Sequence, residues 1–149
     1  MQTHTSPEKD TVGQLNSFLR GELSAVETYR EALRRLDEST HKSTLEECAR
    51  SHQQRVTLLT QEIRRRGGEP AKESGPWGTL VKLLEGGAAA LGEKAAIAVL
   101  EEGEDHGRND YRRDSEQLDF EARQLIQTRI LPEQLRTHDA LSALKKAIG

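Results

Sequence analysis

A glutamate and a tyrosine seven residues apart occur twice in this chain, in nearly the same setting. Gly21-Glu22 leads to Tyr29-Arg30, and Gly103-Glu104 leads to Tyr111-Arg112. Each glutamate has a later histidine: His52 follows Glu22, and His138 follows Glu104. A fifth ionisable group, Glu101, precedes Glu104 by three residues and so shares its face of a helix. Carboxylate and imidazole are the donor types that suit Fe, Mn or Zn. Glu22, His52, Glu101, Glu104 and His138 are therefore candidate ligands of a buried divalent metal, in a pseudo-two-fold arrangement.

Helices must bring these groups together. Residues at i, i+3, i+4 and i+7 share one helix face. Leu15, Leu19, Val26, Leu33 and Leu36 form such a stripe, with Glu22 and Tyr29 on it. Leu45, Ala49, Val56, Leu59 and Ile63 centre on His52. Ile97, Leu100, Tyr111 and Leu118 share a face with Glu101 and Glu104, and Leu131, Leu135 and Leu141 flank His138. Each predicted helix thus carries an ionisable group where its core face should be apolar. Tyr29 and Tyr111 are placed to hydrogen-bond the carboxylates from behind. Cys48 reads as a small core filler, and His106 as solvated.

Local signals set the boundaries. Residues 1–10 read as a flexible polar tail, and 11–149 as one domain. Thr11 with Gln14 forms a capping box for a first helix over 11–37, and Ser43 with Glu46 forms one for the second. Arg64-Arg65-Arg66 followed by Gly67-Gly68 closes that helix, because cations suit its negative end and glycine permits a left-handed cap. The stretch 69–92 is rich in Gly, Pro and Ser, with a short amphipathic helix predicted over Trp77–Leu84. Helices over 93–118 and 120–147 complete the pattern. Pro132 lies inside the last of these and predicts a kink, since it has no N–H to donate to Thr128.

Bulk composition narrows the classes. Hydrophobic residues make up 34% and charged residues 32%, which fits a narrow bundle core with broad solvated faces. A net charge of −3 gives no general attraction to nucleic acid or an anionic membrane. No apolar run is long enough for a membrane span, and no secretory signal is visible, so a cytoplasmic location is expected. The single Cys48 excludes an intramolecular disulfide. Short turns near residues 39 and 121 predict two antiparallel helix pairs, with the long stretch between them as a crossover. The expected fold is all-α, a four-helix bundle of ferritin-like topology.

The string GELSAVETYREAL resembles the first helix of the ferritin-like superfamily, where a ligand glutamate is followed seven residues later by a tyrosine. Through LNSFLRGELSAVETY, RRRGGEP, LEEGEDHGRNDYR and LPEQLRTHDALSAL, the chain from Leu15 onward is similar to a bacterial family of small bundles known only as a ferritin-like domain of unknown function. The resemblance implies a fold without an established activity. Di-iron bundles of this kind use one Glu from each of two helices and a Glu-x-x-His from each of the other two. Glu22, Glu104, His52 and His138 match four of those six ligands, while Ala49 and Leu135 stand where the bridging glutamates would be. Glu101 is the candidate replacement for one of them.

The leading expectation is therefore a metal-binding protein with an incomplete dinuclear site, suited to weak oxidase or peroxide-handling chemistry. The competing expectation is a non-catalytic stress or interaction bundle held by buried salt bridges, with Arg108 near Glu104 and Arg55 near His52 as the cations. Trp77 and Leu80 on the crossover would suit a homodimer contact or would cover the bundle end.

Overall fold

The computed structural model describes residues 7–74 and 92–149, and all regular structure among them is helical. The elements are α1 (Pro7–Arg35), α2 (Lys42–Arg65), α3 (Glu93–Asp114), a 3-10 turn (Ser115–Gln117), α4 (Phe120–Leu125), a single π-helical turn (Ile126–Ile130) and α5 (Leu131–Ile148). The last three run end to end as one rod over 120–148, so the described residues make a bundle of four helices. α1 packs mainly on α2 and α3 mainly on α5, with lighter contact between α1 and α3 and between α2 and α5. The helix predicted over Trp77–Leu84, and with it the dimer contact through Trp77 and Leu80, lies outside the described residues. No helix among the described residues is long and apolar enough to cross a membrane.

The end of α2 follows the sequence signal. Gly67 adopts φ 78°, its N–H donates to the Arg64 carbonyl at 2.9 Å, and Gly68 N–H reaches the Ile63 carbonyl at 2.9 Å. This is the Schellman arrangement, and only glycine enters it without steric cost. Arg66 then lies across to Asp119, whose two oxygens accept its guanidinium N–H groups at 2.5 and 2.9 Å. Asp119 in turn caps α4 by accepting from the Ala122 N–H at 3.0 Å.

Neither expected capping box forms. α1 begins at Pro7, so Thr11 lies within the helix, where its Oγ1 accepts instead from the Asp119 N–H at 3.0 Å. A tertiary donor has replaced the local one. α2 begins at Lys42 with His41 as its N-cap and no side-chain cap bond. Ser39, three residues before that start, accepts the His41 N–H at 3.0 Å and rounds the turn.

The kink expected at Pro132 is instead a π turn that ends just before it. Leu131 N–H donates to the Ile126 carbonyl, five residues back. A π turn accommodates one extra residue per turn. This keeps Ala122, Ile126, Ile130 and Gln134, at successive intervals of four, on one buried face.

The core has two apolar clusters. One gathers Ala25, Tyr29, Ala32, Leu45, Cys48, Ile97, Leu100 and Leu141 with their neighbours. The other gathers Leu15, Phe18, Leu19, Leu59, Ile63, Tyr111, Ile126 and Ile130 with theirs. Along every helix the residues between these clusters are polar and buried: Glu22 on α1, Ser51, His52 and Arg55 on α2, Glu104 on α3, Gln134 and Thr137 on α5. The fold thus positions one polar layer across its middle.

Candidate functional site

Glu22, His52 and Glu104 meet in this layer, as the spacing predicts. His52 stands between the two carboxylates: Nδ1 lies 2.5 Å from Glu22 Oε1 and Nε2 lies 2.7 Å from Glu104 Oε2. The tyrosines cross over. Tyr29 of α1 donates to Glu104 at 2.5 Å, and Tyr111 of α3 donates to Glu22 at 2.5 Å. The repeat is therefore a reciprocal exchange in which each helix supplies a carboxylate to its partner's phenol.

Arg55 is the member of the layer with the greatest consequence. It is only 1% exposed. Its Nη1 donates to Glu22 Oε2 at 3.3 Å and to Gln134 Oε1. Its Nη2 donates to Ser51 Oγ and to Thr137 Oγ1, both at 2.9 Å. Gln134 and Thr137 pass the chain of bonds on to Glu104 Oε1, each at 2.8 Å. Gln134 can reach in because Gly107 has no side chain: a Cβ there would lie 2.9 Å from Gln134 Nε2.

Glu101 and His138 are not brought into this layer. Glu101 accepts from Ser142 at 3.1 Å and from Lys145 at 3.0 Å, near the end of α5. His138, with its side chain 13% exposed, lies 2.5 Å from Asp105 and 3.2 Å from Arg108 Nη1. Arg108 accordingly pairs with the Asp105–His138 group rather than with Glu104. The physical reason is helix phase. The buried face of the rod runs through Ile130, Gln134, Thr137, Leu141 and Leu144, and His138 lies about 100° beyond Thr137 on the helix.

Sequence reasoning missed Gln134 and Thr137, although a signal for them exists. Glu22 to Glu104 and Tyr29 to Tyr111 are both offsets of 82 positions, and the same offset carries His52 to Gln134 and Arg55 to Thr137. The second half of the repeat keeps the positions and changes the residue types. Cys48 and His106 fall where expected, the first buried and the second exposed. Burial and the nearby Glu104 charge push the Cys48 thiol up to about 12, which makes it an inert filler at neutral pH.

The electrostatics follow from these contacts. Burial alone would raise Glu22, but the charges of Arg55 and His52 and the bonds from His52 and Tyr111 outweigh it, and the carboxyl is held at about 2. Glu104 is lowered in the same way: burial opposes, but His52, Arg55 and the Tyr29 bond prevail. Burial and Arg55 act to lower His52, yet Glu104 and Glu22 overcome them and its pKa is raised. An ionised carboxylate can only accept, so a ring with a carboxylate at each nitrogen carries hydrogen on both. Two carboxylates, one imidazolium and one guanidinium leave the layer electrically neutral.

A cleft of about 180 Å³ reaches this layer from the surface between α1 and α3. Phe18 and Gly21 line one side, Gly107 and Tyr111 the other, and Glu22, His52 and Gln134 lie within it. Asp110, Arg113 and Asp114 are also part of its lining, and Arg113 is paired with both aspartates at 2.9 Å.

Residues 10–117 match a family model described as a domain of unknown function (DUF2383). The chain belongs to this family. No curated protein and no solved structure matches the chain. The matched DUF2383 region takes in Glu22, Tyr29, His52, Arg55, Glu104 and Tyr111, and ends before Gln134 and Thr137.

The donor set does not fit a dinuclear metal centre. Ala49 and Leu131 stand three residues before His52 and Gln134, where bridging carboxylates would be required. Both oxygens of each carboxylate already accept from His52, Tyr29, Tyr111, Arg55, Gln134 or Thr137. The doubly bonded imidazole offers no lone pair, and Arg55 brings a permanent positive charge to the place a cation would take. Among the described residues, no group of three or more His, Cys, Asp or Glu side chains is disposed to hold a metal ion.

Proposed function

We propose that this DUF2383 protein is a non-catalytic four-helix module of ferritin-like topology, a structural or protein-interaction bundle whose centre is held by a buried ion network instead of a metal. The observation that carries this reading is His52 spanning Glu22 and Glu104, with Arg55 supplying the second positive charge. Antiparallel pairing of α1 with α2 is supported by the approach of Gly68, just past α2, to Val12 near the start of α1. Pairing of α3 with the rod in the same sense is supported by Lys94 reaching the Gly149 carbonyl and by Glu101 bonding Lys145.

Metal analysis of protein purified without an affinity tag, after incubation with Fe, Mn and Zn in turn, tests the reading. Far less than one equivalent should remain bound, and chelator should leave the melting temperature unchanged, because a ligand of the native state alone would raise it. Near-stoichiometric metal that disappears in a His52→Ala variant would overturn it.

Metal binding is the second reading, favoured by the convergence of Glu22, His52 and Glu104 from three helices at a cleft that opens to solvent. On that reading Fe, Mn or Zn would displace the shared protons of His52 and drive Arg55 aside, and the weak oxidase or peroxide chemistry expected of such a centre would follow. The same metal analysis separates the two.

A further inference from the structure

We infer that the cleft is the proton port of the buried layer: hydrogen on His52 exchanges with solvent through Glu22 at the cleft, while the Glu104 end of the same ring is sealed. The inference rests on the ion-network reading above, which puts a hydrogen on each ring nitrogen.

The repeat makes the two ends of the layer near-copies in bonding. At each end a ring nitrogen of His52 meets a carboxylate, at 2.5 Å for Glu22 and 2.7 Å for Glu104. At each end a tyrosine donates to that carboxylate at 2.5 Å, Tyr111 to Glu22 and Tyr29 to Glu104. Access to solvent separates them. Glu22 and Tyr111 line the cleft and each keep 3% of their surface open. Glu104 and Tyr29 are 0% exposed and take no part in that lining. Gly21, on the cleft wall beside Glu22, has no side chain to close the gap, and a Cβ there would meet nothing within 4 Å. Its equivalent in the repeat, Gly103, is buried.

The transfer balances at the open end. The Nδ1 proton passes to Glu22 Oε1, which leaves a neutral imidazole and a neutral carboxylic acid. The acid gives its proton to solvent water entering the cleft, and the reverse step returns one. At Nε2 the same transfer stops at Glu104, whose other partners, Tyr29, Gln134 and Thr137, are buried donors, so the proton goes back to the ring. The remaining groups of the layer offer no detour. Around His52 the titratable groups are Glu22 and Tyr29 of α1, Cys48 and Arg55 of its own helix, and Glu104 and Tyr111 of α3; the rod presents the uncharged Gln134 and Thr137. Arg55 is already fully protonated and accepts nothing. The layer therefore equilibrates with solvent acidity from one side, in the folded state.

The test is NMR of the tag-free full-length chain with labelled histidine at mildly acidic pH. Ring-nitrogen shifts should show hydrogen on both nitrogens of His52. The Nδ1 hydrogen should exchange with water at least about 10-fold faster than the Nε2 hydrogen, because only the second has to wait for local opening of the bundle. Gly21→Leu puts a side chain on the cleft wall without entering the layer. It should slow Nδ1 exchange at least about 10-fold and leave Nε2 exchange unchanged. Ser17→Leu, on the exposed lip of the cleft one turn earlier, carries the same test if Gly21→Leu unfolds. Equal exchange at the two nitrogens, or faster exchange at Nε2, overturns this inference and leaves the ion network intact. So does an Nδ1 rate that the plugged cleft does not change. Hydrogen on only one nitrogen of the native ring overturns both.

Discussion

Replacing His52 by leucine should make this protein gain stability in mild acid, where the native protein is level. In the native layer the charges balance. The substitution removes the imidazolium and its bonds to Glu22 and Glu104 at 2.5 and 2.7 Å, which leaves two buried carboxylates with Arg55 as the only cation. Removing one partner from a buried ion network costs about 3–5 kcal/mol. For a chain of this size that corresponds to roughly 6–20 °C in melting temperature. The remaining carboxylates repel, so one of them acquires a raised pKa. A raised carboxyl binds its proton in the folded state first, and stability then falls as pH rises. The native protein is level in mild acid and loses stability only in stronger acid. Glu22, held at about 2 against an ordinary 4.5, stabilises fully above 4.5 and loses that contribution as pH falls towards 2. His52, raised above its ordinary 6.5, stabilises fully below 6.5 and loses its contribution as pH climbs through the folded value. Native stability should therefore be greatest between about 4.5 and 6.5, whereas His52→Leu should keep gaining as pH falls through that window. Thermal unfolding followed by circular dichroism from pH 4 to 9 reads both. A variant that loses less than about 1 kcal/mol and keeps the native pH profile would refute a charged, bridging His52.

Three further outcomes are expected. Gly107→Ala should cost about 1–3 kcal/mol, because its Cβ meets Gln134 at 2.9 Å and unseats the amide from Glu104 and Arg55, whereas Gly21→Ala meets nothing and should be neutral or stabilising by up to about 1 kcal/mol; paired denaturant titrations compare them. His138→Ala should cost less than about 1 kcal/mol, since His138 pairs with Asp105 outside the buried layer; a loss as large as that of His52→Leu would place it within the network after all. Asp119→Ala removes both the cap on α4 and the carboxylate that holds Arg66, and should cost about 1–2 kcal/mol; hydrogen exchange should report faster opening of Ala122, and unchanged exchange would count against the cap.

Four helices, their approximate limits and the meeting of Glu22, His52 and Glu104 were legible in the chain because apolar periodicity and repeated spacing are local properties. The α2 terminus was legible for the same reason: Gly67 alone suffices for the left-handed cap. Capping of α1 was not, because Thr11 took its partner from Asp119, more than a hundred residues away. The fourth rod was misread because its core face carries Gln134 and Thr137, while Leu131 and Leu135 are only half-buried. A search for apolar and ligand-type residues selects His138. The offset of 82 positions, which reflects equivalent placement in the bundle, selects Gln134.

What only the tertiary structure decided is the charge balance of the layer. Sequence supplied ionisable residues on core-facing stripes, and both a metal and an internal cation could answer them. Whether an arginine three residues after His52 turns inward depends on what waits there. Ser51, Gln134 and Thr137 together satisfy its N–H groups, and Gly107 admits Gln134 to the site. Those partners come from α2, α3 and α5, and no local pattern encodes their convergence. A buried guanidinium is tolerated only where every donor is met, and meeting them takes the whole bundle.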